Sequence, residues 1–189
     1  TLSTGETVLS FDGSDDYVNC GNKPEYNVAQ SGFSLIAWIK AEDPISSGGD
    51  GRIIKRWTGG YPGSGYSLNI LKTSGRIATE ARSDGSPNGY YFSSPATPSY
   101  FDGKWHFIAS TTNIQQKSVH LYVDGNLVSS GGNWGGNLLN LNNNLYIGTM
   151  EGISNYMYKG SLDDVRIYNR ALSADEIQAL YSSSVGKYK

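Results

Sequence analysis

One cysteine in 189 residues, Cys20, rules out an internal disulfide and any thiolate-rich zinc site. In Tyr17-Val18-Asn19-Cys20 it alternates onto the side of Val18, the setting of a small buried hydrophobe rather than a nucleophile. Histidine is almost as scarce. The two present, His106 and His120, stand apart in sequence without a nucleophile elbow. Ser-His-Asp chemistry therefore lacks a framework, and His106 reads as a satisfied structural residue. Charge is sparse too: 17% of residues are charged, the net charge is -2 and no basic run occurs. That removes the electrostatic footing for nucleic acid or an anionic membrane surface. No apolar run has transmembrane length, and neither a signal peptide nor a targeting motif is visible, as expected of a mature chain or an excised module. The FDG triplet at 11–13 and 101–103 is not an internal repeat, because SDDYV follows one and KWHFI the other.

What the chain has in quantity is turn chemistry and tyrosine. Its 24 glycines and 14 tyrosines, with many Ser, Asn and Thr, describe a turn-rich β protein with a hydrogen-bonding surface. Short alternating runs separated by Gly, Asn, Asp, Ser and Pro recur throughout, about a dozen strands' worth, which predicts an antiparallel sandwich rather than a βαβ fold. The clearest hairpin is Val119 to Leu127, turning at Asp124-Gly125. In 33–40 both alternating sets are largely apolar, so this strand is expected at the centre of a sheet with Trp38 in the core. In 162–168, alternation puts Asp163, Val165 and Ile167 on one face and Leu162, Asp164, Arg166 and Tyr168 on the other. Ser173 precedes Glu176 by the capping-box spacing, with Ala174, Ile177, Leu180 and Tyr181 forming an apolar stripe, so one short helix closes the fold. The long loops are expected at 43–52, 58–66, 83–99 and 129–143.

The segment GSLDDVRIYNRALSADEIQALY at 160–181 closely resembles the C-terminal signature of laminin-G-like, concanavalin-A-like jelly-roll domains. LSFDGSDDYVNC at 9–20, FSLIAWIKAED at 33–43, FDGKWHFIAST at 101–111, VHLYVDGNLV at 119–128 and NLYIGTM at 144–150 match further landmarks in order. The resemblance covers nearly the whole chain. It implies an all-β antiparallel jelly-roll sandwich of the concanavalin A-like class with a short C-terminal helix. It leaves the activity open, since this architecture hosts lectins, adhesive modules and glycosidases alike.

Two constellations carry chemistry. The first is acidic: the Asp12-Gly13-Ser14-Asp15-Asp16 turn and the Asp163-Asp164 pair. Calcium takes six to eight hard oxygens, and acidic turns from the two chain ends are expected to close one such shell, with Asp12, Asp16, Asp163 and Asp164 as ligands. The resemblance implies the same, because many jelly rolls of this type bind a structural Ca2+ between the FDG turn and the final strand. The competing reading gives Asp12 to the backbone donors of its turn and Asp163 to Arg166 or another cation. The second constellation is aromatic. Saccharides offer apolar C–H faces and rings of hydroxyls, so their sites pair exposed aromatic rings with planar polar groups. The candidates are Trp57, Tyr61, Arg82, Tyr90, Tyr91, Trp134 and Tyr156, with Trp57 and Trp134 favoured because both are read as lying in glycine-rich loops. Alternation puts Glu80 beside Arg82 on the solvent-facing or concave side of its strand, paired with each other or reading a ligand.

Catalysis has less support. A retaining glycosidase needs two carboxylates about 5–5.5 Å apart, usually from an E-x-D-x-x-E or E-x-D-x-E run, and none is present. Nor are the R-x-E-x-R, Q-I-H and Y-x-K-x-G-x-Y motifs expected of a lyase of this fold. The sequence thus predicts residues 1–8 as an N-terminal strand or linker, a jelly-roll domain at 9–182 and a linker or tail at 183–189. The expected role is that of a noncatalytic carbohydrate-binding module. It would bind a polysaccharide or glycan and target covalently linked catalytic or adhesive domains of an extracellular, secreted or cell-surface protein. No nucleic acid and no membrane insertion are expected. The alternative is a protein-binding adhesion domain; a glycoside hydrolase or polysaccharide lyase ranks last.

Overall fold

The computed structural model describes residues 5, 7–28, 31–42, 49–58, 63–82, 90–132, 141–151 and 154–189. In chain order the strands are β1 (Leu9–Asp12), β2 (Val18–Gly21), β3 (Gly32–Ala41), β4 (Gly51–Thr58), β5 (Ser64–Ile70) and β6 (Ile77–Arg82). They continue with β7 (Tyr90–Ser93), β8 (His106–Asn113), β9 (Ser118–Val123), β10 (Asn126–Gly132), β11 (Leu145–Ile147) and β12 (Lys159–Tyr168), before helix α1 (Ala174–Ser184). Among the described residues they form two six-stranded sheets, ordered β1-β12-β3-β8-β9-β10 and β2-β11-β4-β5-β6-β7. The pairings are antiparallel. The chain is therefore an all-β sandwich with one short C-terminal helix, as its turn chemistry predicts.

The inner layer is built from alternate residues of both sheets. Phe33, Leu35, Ala37 and Ile39 of β3 meet Ile54, Tyr66, Leu68, Ile77 and Ala81 of the facing sheet, all fully buried. The opposite face of β3 carries Ile36 and Trp38, which α1 covers with Ile177, Leu180 and Tyr181. Burial on both faces explains the unbroken apolar run of this strand. The hairpin also forms as expected. Asn126 pairs with Val123, leaving Asp124 and Gly125 as a two-residue loop with φ of +50° and +78°. Both signs suit the twist of the flanking strands, and Asp and Gly tolerate them best.

The helix start is fixed twice. Ser173 and Glu176 form the expected capping box. In addition, the Ser34 hydroxyl on β3 donates to the Arg170 carbonyl and accepts from the Leu172 amide, each at 2.9 Å. Residues in 183–189 take part in this packing. Ser184 ends α1 and accepts a hydrogen bond from the Trp38 indole at 3.0 Å, and the Tyr188 ring stacks on Trp38 at 4.0 Å. Among the described residues no helix is long and apolar enough to cross a membrane.

Strict alternation fails in β12. Asp163 pairs with Trp38 and Arg166 with Ile36, so three steps on one strand oppose two on the other. The extra residue is a bulge containing Asp164 at φ +49°. The resulting change of phase lets Leu162 share the core with Val165 and Ile167, where alternation had separated them.

Candidate functional site

The outer face of the second sheet collects the polar and aromatic side chains. Cross-strand register aligns Tyr146, Lys55, Ser67, Glu80 and Tyr91 in one row, running from β11 to β7. A second row is Trp57, Gly65 and Arg82; a third begins with Arg52 and Asn69. Arg52 joins Lys55 on this face because of a register shift between Arg52 and Ile54, which lets Ile53 and Ile54 both enter the core. Gly65 lies between Trp57 and Arg82 at φ +148°, and a side chain there would collide with the Arg56 carbonyl. The bare backbone lets Arg82 reach over it, its guanidinium carbon 5.9 Å from the Trp57 ring.

Glu80 is the electrostatic centre. Its Oε1 accepts from Ser67 Oγ at 2.9 Å, from Arg52 Nη1 at 3.4 Å and from Lys55 Nζ. Burial drives the Lys55 amine down to about 8; Glu80 pulls the other way, while Arg52 and Arg82 push with burial. Burial also favours a neutral Glu80, but the charges of Lys55 and Arg52 outweigh it and hold the carboxyl below its ordinary value. Lys55 lies 3.9 Å from the Trp57 ring centre and Arg52 lies 5.0 Å from that of Tyr156. Each aromatic ring is thus flanked by a cation. Tyr91 is half exposed, and its phenol is pushed up to about 12 by burial first and then by Asp50 and Glu80. Among the described residues, the buried Arg52 Nε and Asn69 Oδ1 have no hydrogen-bond partner.

Four predicted saccharide residues, Trp57, Arg82, Tyr91 and Tyr156, therefore border this one face. Trp57 lies in strand β4 rather than in a loop, its carbonyl taken by the Asn143 side chain. Tyr90 sits on β7 with its backbone opposite Ala81. Tyr61 and Trp134 lie outside the described residues. Glu80 and Arg82 do share a face, but Glu80 pairs with Lys55 and Arg52 rather than with Arg82. Sequence reasoning missed Arg52, assigned to a loop, together with Ser67 and Asn69. The bulge after Arg52 breaks the period-2 signal that would have put Arg52 on the face of Lys55 and Trp57. Arg56, next to them in sequence, is structural: it donates to the carbonyls of Asn143 and Leu141 and to Asn22.

The acidic residues fall into two groups. Asp12 pairs with Lys159 of β12, and Asp163 lies four residues further along that strand, about 13 Å at the usual rise. Asp163 accepts from the Tyr188 hydroxyl at 2.7 Å, and Asp164 holds Arg166 through two bonds of 2.6 and 2.7 Å. Both C-terminal acids, Asp163 and Asp164, are thus engaged by protein donors, and register separates them from Asp12 and Asp16. Asp12, Asp15 and Asp16 do converge, with one oxygen of each within 4.8 Å of the others. Asp12 Oδ1 also accepts from the Ser14 amide at 2.7 Å and Asp16 Oδ2 from the Asp12 amide at 3.0 Å. Three hard carboxylate oxygens in one exposed turn suit the chemistry of calcium.

A cleft of about 520 Å³ opens on the first sheet, lined in part by Asn113, Gln116, His120, Tyr122, Leu127 and Glu176. Trp57, Arg82, Tyr91 and Tyr156 do not line it. His106 is satisfied as expected, with Nδ1 2.8 Å from Asp124 and Nε2 3.1 Å from Asp102.

Two facing antiparallel sheets, one with an aromatic and charged outer face, define a lectin-like β-sandwich. The chain belongs to the Laminin_G_3 family of the concanavalin A-like lectin/glucanases superfamily, which it matches over residues 12–178. No curated protein matches it. Among solved structures it is similar to the CBM40 module of Ruminococcus gnavus IT-sialidase bound to α2,3-sialyllactose. The TM-score is 0.72 at 16% identity, with 93% of this chain and 97% of that module covered. The binding domain of Paraclostridial Mosquitocidal Protein 1 gives a TM-score of 0.74 at 18% identity, covering 97% of this chain and 47% of that one. The ligand-binding domain of botulinum neurotoxin serotype D, in complex with N-acetylneuraminic acid, gives 0.72 at 19%, covering 98% and 46%. The chain thus spans nearly all of the sialidase module and a little under half of each toxin domain.

Proposed function

We propose that this chain is a noncatalytic carbohydrate-binding module whose saccharide site is the outer face of the β11-β4-β5-β6-β7 sheet. One observation carries the reading: Trp57, Tyr91 and Tyr156 border a hydrogen-bonding floor of Arg52, Lys55, Ser67, Asn69 and Glu80. Rings stack on the apolar faces of a sugar while Glu80 and Arg82, the partly exposed polar groups of the face, exchange hydrogen bonds with its hydroxyls and the buried Lys55, Ser67 and Asn69 hold them in place. The sialidase module and the toxin domain, both bound to saccharides by their descriptions, support the same use of this fold. Glu80 is the single carboxylate on those five strands and is already held by three donors, which favours binding over a two-carboxylate hydrolytic mechanism.

In this reading the module belongs to an extracellular protein and raises the local concentration of linked catalytic or adhesive domains at a glycan. A structural Ca2+ is proposed on Asp12, Asp15 and Asp16, where it would brace the turn between β1 and β2. A glycan array with and without calcium, run beside a reducing-sugar assay, tests the function. Saccharide binding without sugar release is expected; release of reducing ends, or binding only to proteins, would overturn it. For calcium, chelation is expected to lower the Tm by several degrees, and Asp12→Asn to abolish that response. A melt unaffected by EDTA removes the ion.

A further inference from the structure

We infer that the ligand is a linear oligosaccharide laid across the strands, with a second subsite for its neutral units at the β2–β11 end of the sheet, on Tyr17, Asn19, Asn144 and Tyr146. The inference deepens the carbohydrate reading and rests on it. Its ground is where the exposed rings fall. Among the described residues two aromatic side chains are exposed, Tyr17 at 47% and Tyr91 at 52%. They mark opposite ends of one row. Tyr91 closes that row on β7, while Tyr146 opens it on β11, opposite Asn19 of β2. Val18 and Cys20 pack against the core, so alternation turns Tyr17 and Asn19 to the outer face, and the Tyr17 ring lies 6.0 Å from that of Tyr146.

The groups around this ring pair are uncharged and have hydrogen bonds to spare. Asn19 Oδ1 accepts from the Gly21 amide at 2.9 Å, which leaves both N–H donors of its side chain for a ligand. Asn144 Nδ2 donates to the Tyr146 hydroxyl at 3.3 Å, so Asn144 Oδ1 stays open as an acceptor and Tyr146 keeps its own proton to donate. A sugar unit needs this combination of a ring for its C–H face and polar groups for its hydroxyls. Charge plays little part at this end. Lys55, opposite Tyr146, is turned to Glu80 and Trp57, and the acids Asp15 and Asp16 immediately before Tyr17 disfavour an anionic unit.

Neighbouring strands lie about 4.8 Å apart, so the five intervals from β2 to β7 span about 24 Å. That length suits a chain of about four or five pyranose rings rather than one terminal unit. Between the two ends Trp57, Glu80 and Arg82 are partly exposed. The three donors to Glu80 converge on Oε1, which leaves Oε2, among the described residues, to accept from a hydroxyl of the passing chain. Rings at both ends with a polar middle recognise the interior of a chain.

Isothermal titration with cello-, xylo-, manno- and chito-oligosaccharides of two to six units, beside 3′-sialyllactose as a short ligand, tests this. In at least one series the affinity is expected to rise at least about tenfold from two to five units and then level off. Tyr17→Ala and Tyr146→Ala, each checked for an unchanged fold by circular dichroism, are expected to cost the five-unit ligand several-fold more than the two-unit one. Binding of 3′-sialyllactose alone, an affinity flat beyond two units, or a length gain that neither variant reduces would overturn the inference and leave the carbohydrate reading intact. Failure of every saccharide, here and on the array, would remove that reading as well.

Discussion

Glu80→Gln isolates the ionic floor of the proposed site with little change of shape. A Lys55 pKa of about 8 in place of 10.5 means that keeping this amine charged costs the folded protein roughly 3 kcal/mol at neutral pH. Removal of the Glu80 charge drives the amine lower still, until it sheds its proton. From there the penalty is bounded at about 5 kcal/mol, the cost of deprotonating an unfolded lysine at pH 7. Lys55 therefore adds only about 1–2 kcal/mol. Arg52 has no such escape, because a guanidinium stays protonated, and loss of its acceptor adds about 1–3 kcal/mol. The total is about 3 kcal/mol, or ~10 °C in Tm for a domain of this size. Urea denaturation at pH 7 measures it, and Lys55→Met in the same chain is expected to restore at least half of the loss. A Glu80→Gln cost below about 1 kcal/mol, or no recovery in the double variant, refutes the reasoning.

Further outcomes follow from other parts of the fold. Ser173→Ala removes one half of the capping box and is expected to cost about 1 kcal/mol, or ~2–4 °C in a thermal melt. Tyr188→Phe deletes the hydroxyl donated to Asp163 and is expected to cost about 1.5–3 kcal/mol in urea, with Tyr188→Ala costing more through the lost Trp38 stack. A neutral Tyr188→Phe, in calcium-free buffer, would mean that Asp163 is held by something else. Burial opposes the charged form of His106, but hydrogen bonds and charge from Asp124 and Asp102 outweigh it and raise its pKa above 6.5. A raised histidine stabilises fully below its unfolded pKa and loses that contribution as pH rises through the folded one. The Tm of the wild type should therefore fall from pH 6 to pH 8, and that slope should flatten in His106→Gln.

The fold was legible wherever a local rule governs. The Asp124-Gly125 turn, the Ser173–Glu176 cap and the doubly apolar β3 each follow from a few neighbouring residues, and together they place the sandwich and its helix. Errors arose where one extra residue changes the phase. The bulge at Asp164 merges Leu162 with Val165, and the shift after Arg52 turns an apparent loop arginine into part of the ionic floor. Neither leaves a periodic trace. The surroundings of the two acidic groups were hidden for a different reason. Register pairs Asp12 with Lys159 rather than with Asp163, and the terminal Tyr188 takes up Asp163 from 25 residues away. Such pairings are long-range and are not written in spacing. The glycines after Trp57 make it look like a loop residue, yet it reaches the candidate face from within a strand, across the gap left by Gly65.

The most direct test of the central claim is the affinity of Trp57→Ala for the best saccharide found on an array, with His120→Ala, in the cleft of the other sheet, as control. The account predicts at least a tenfold loss, about 1.4 kcal/mol, for Trp57→Ala and none for His120→Ala. Undiminished binding by Trp57→Ala, with loss in His120→Ala, would contradict it and move the site to the opposite sheet.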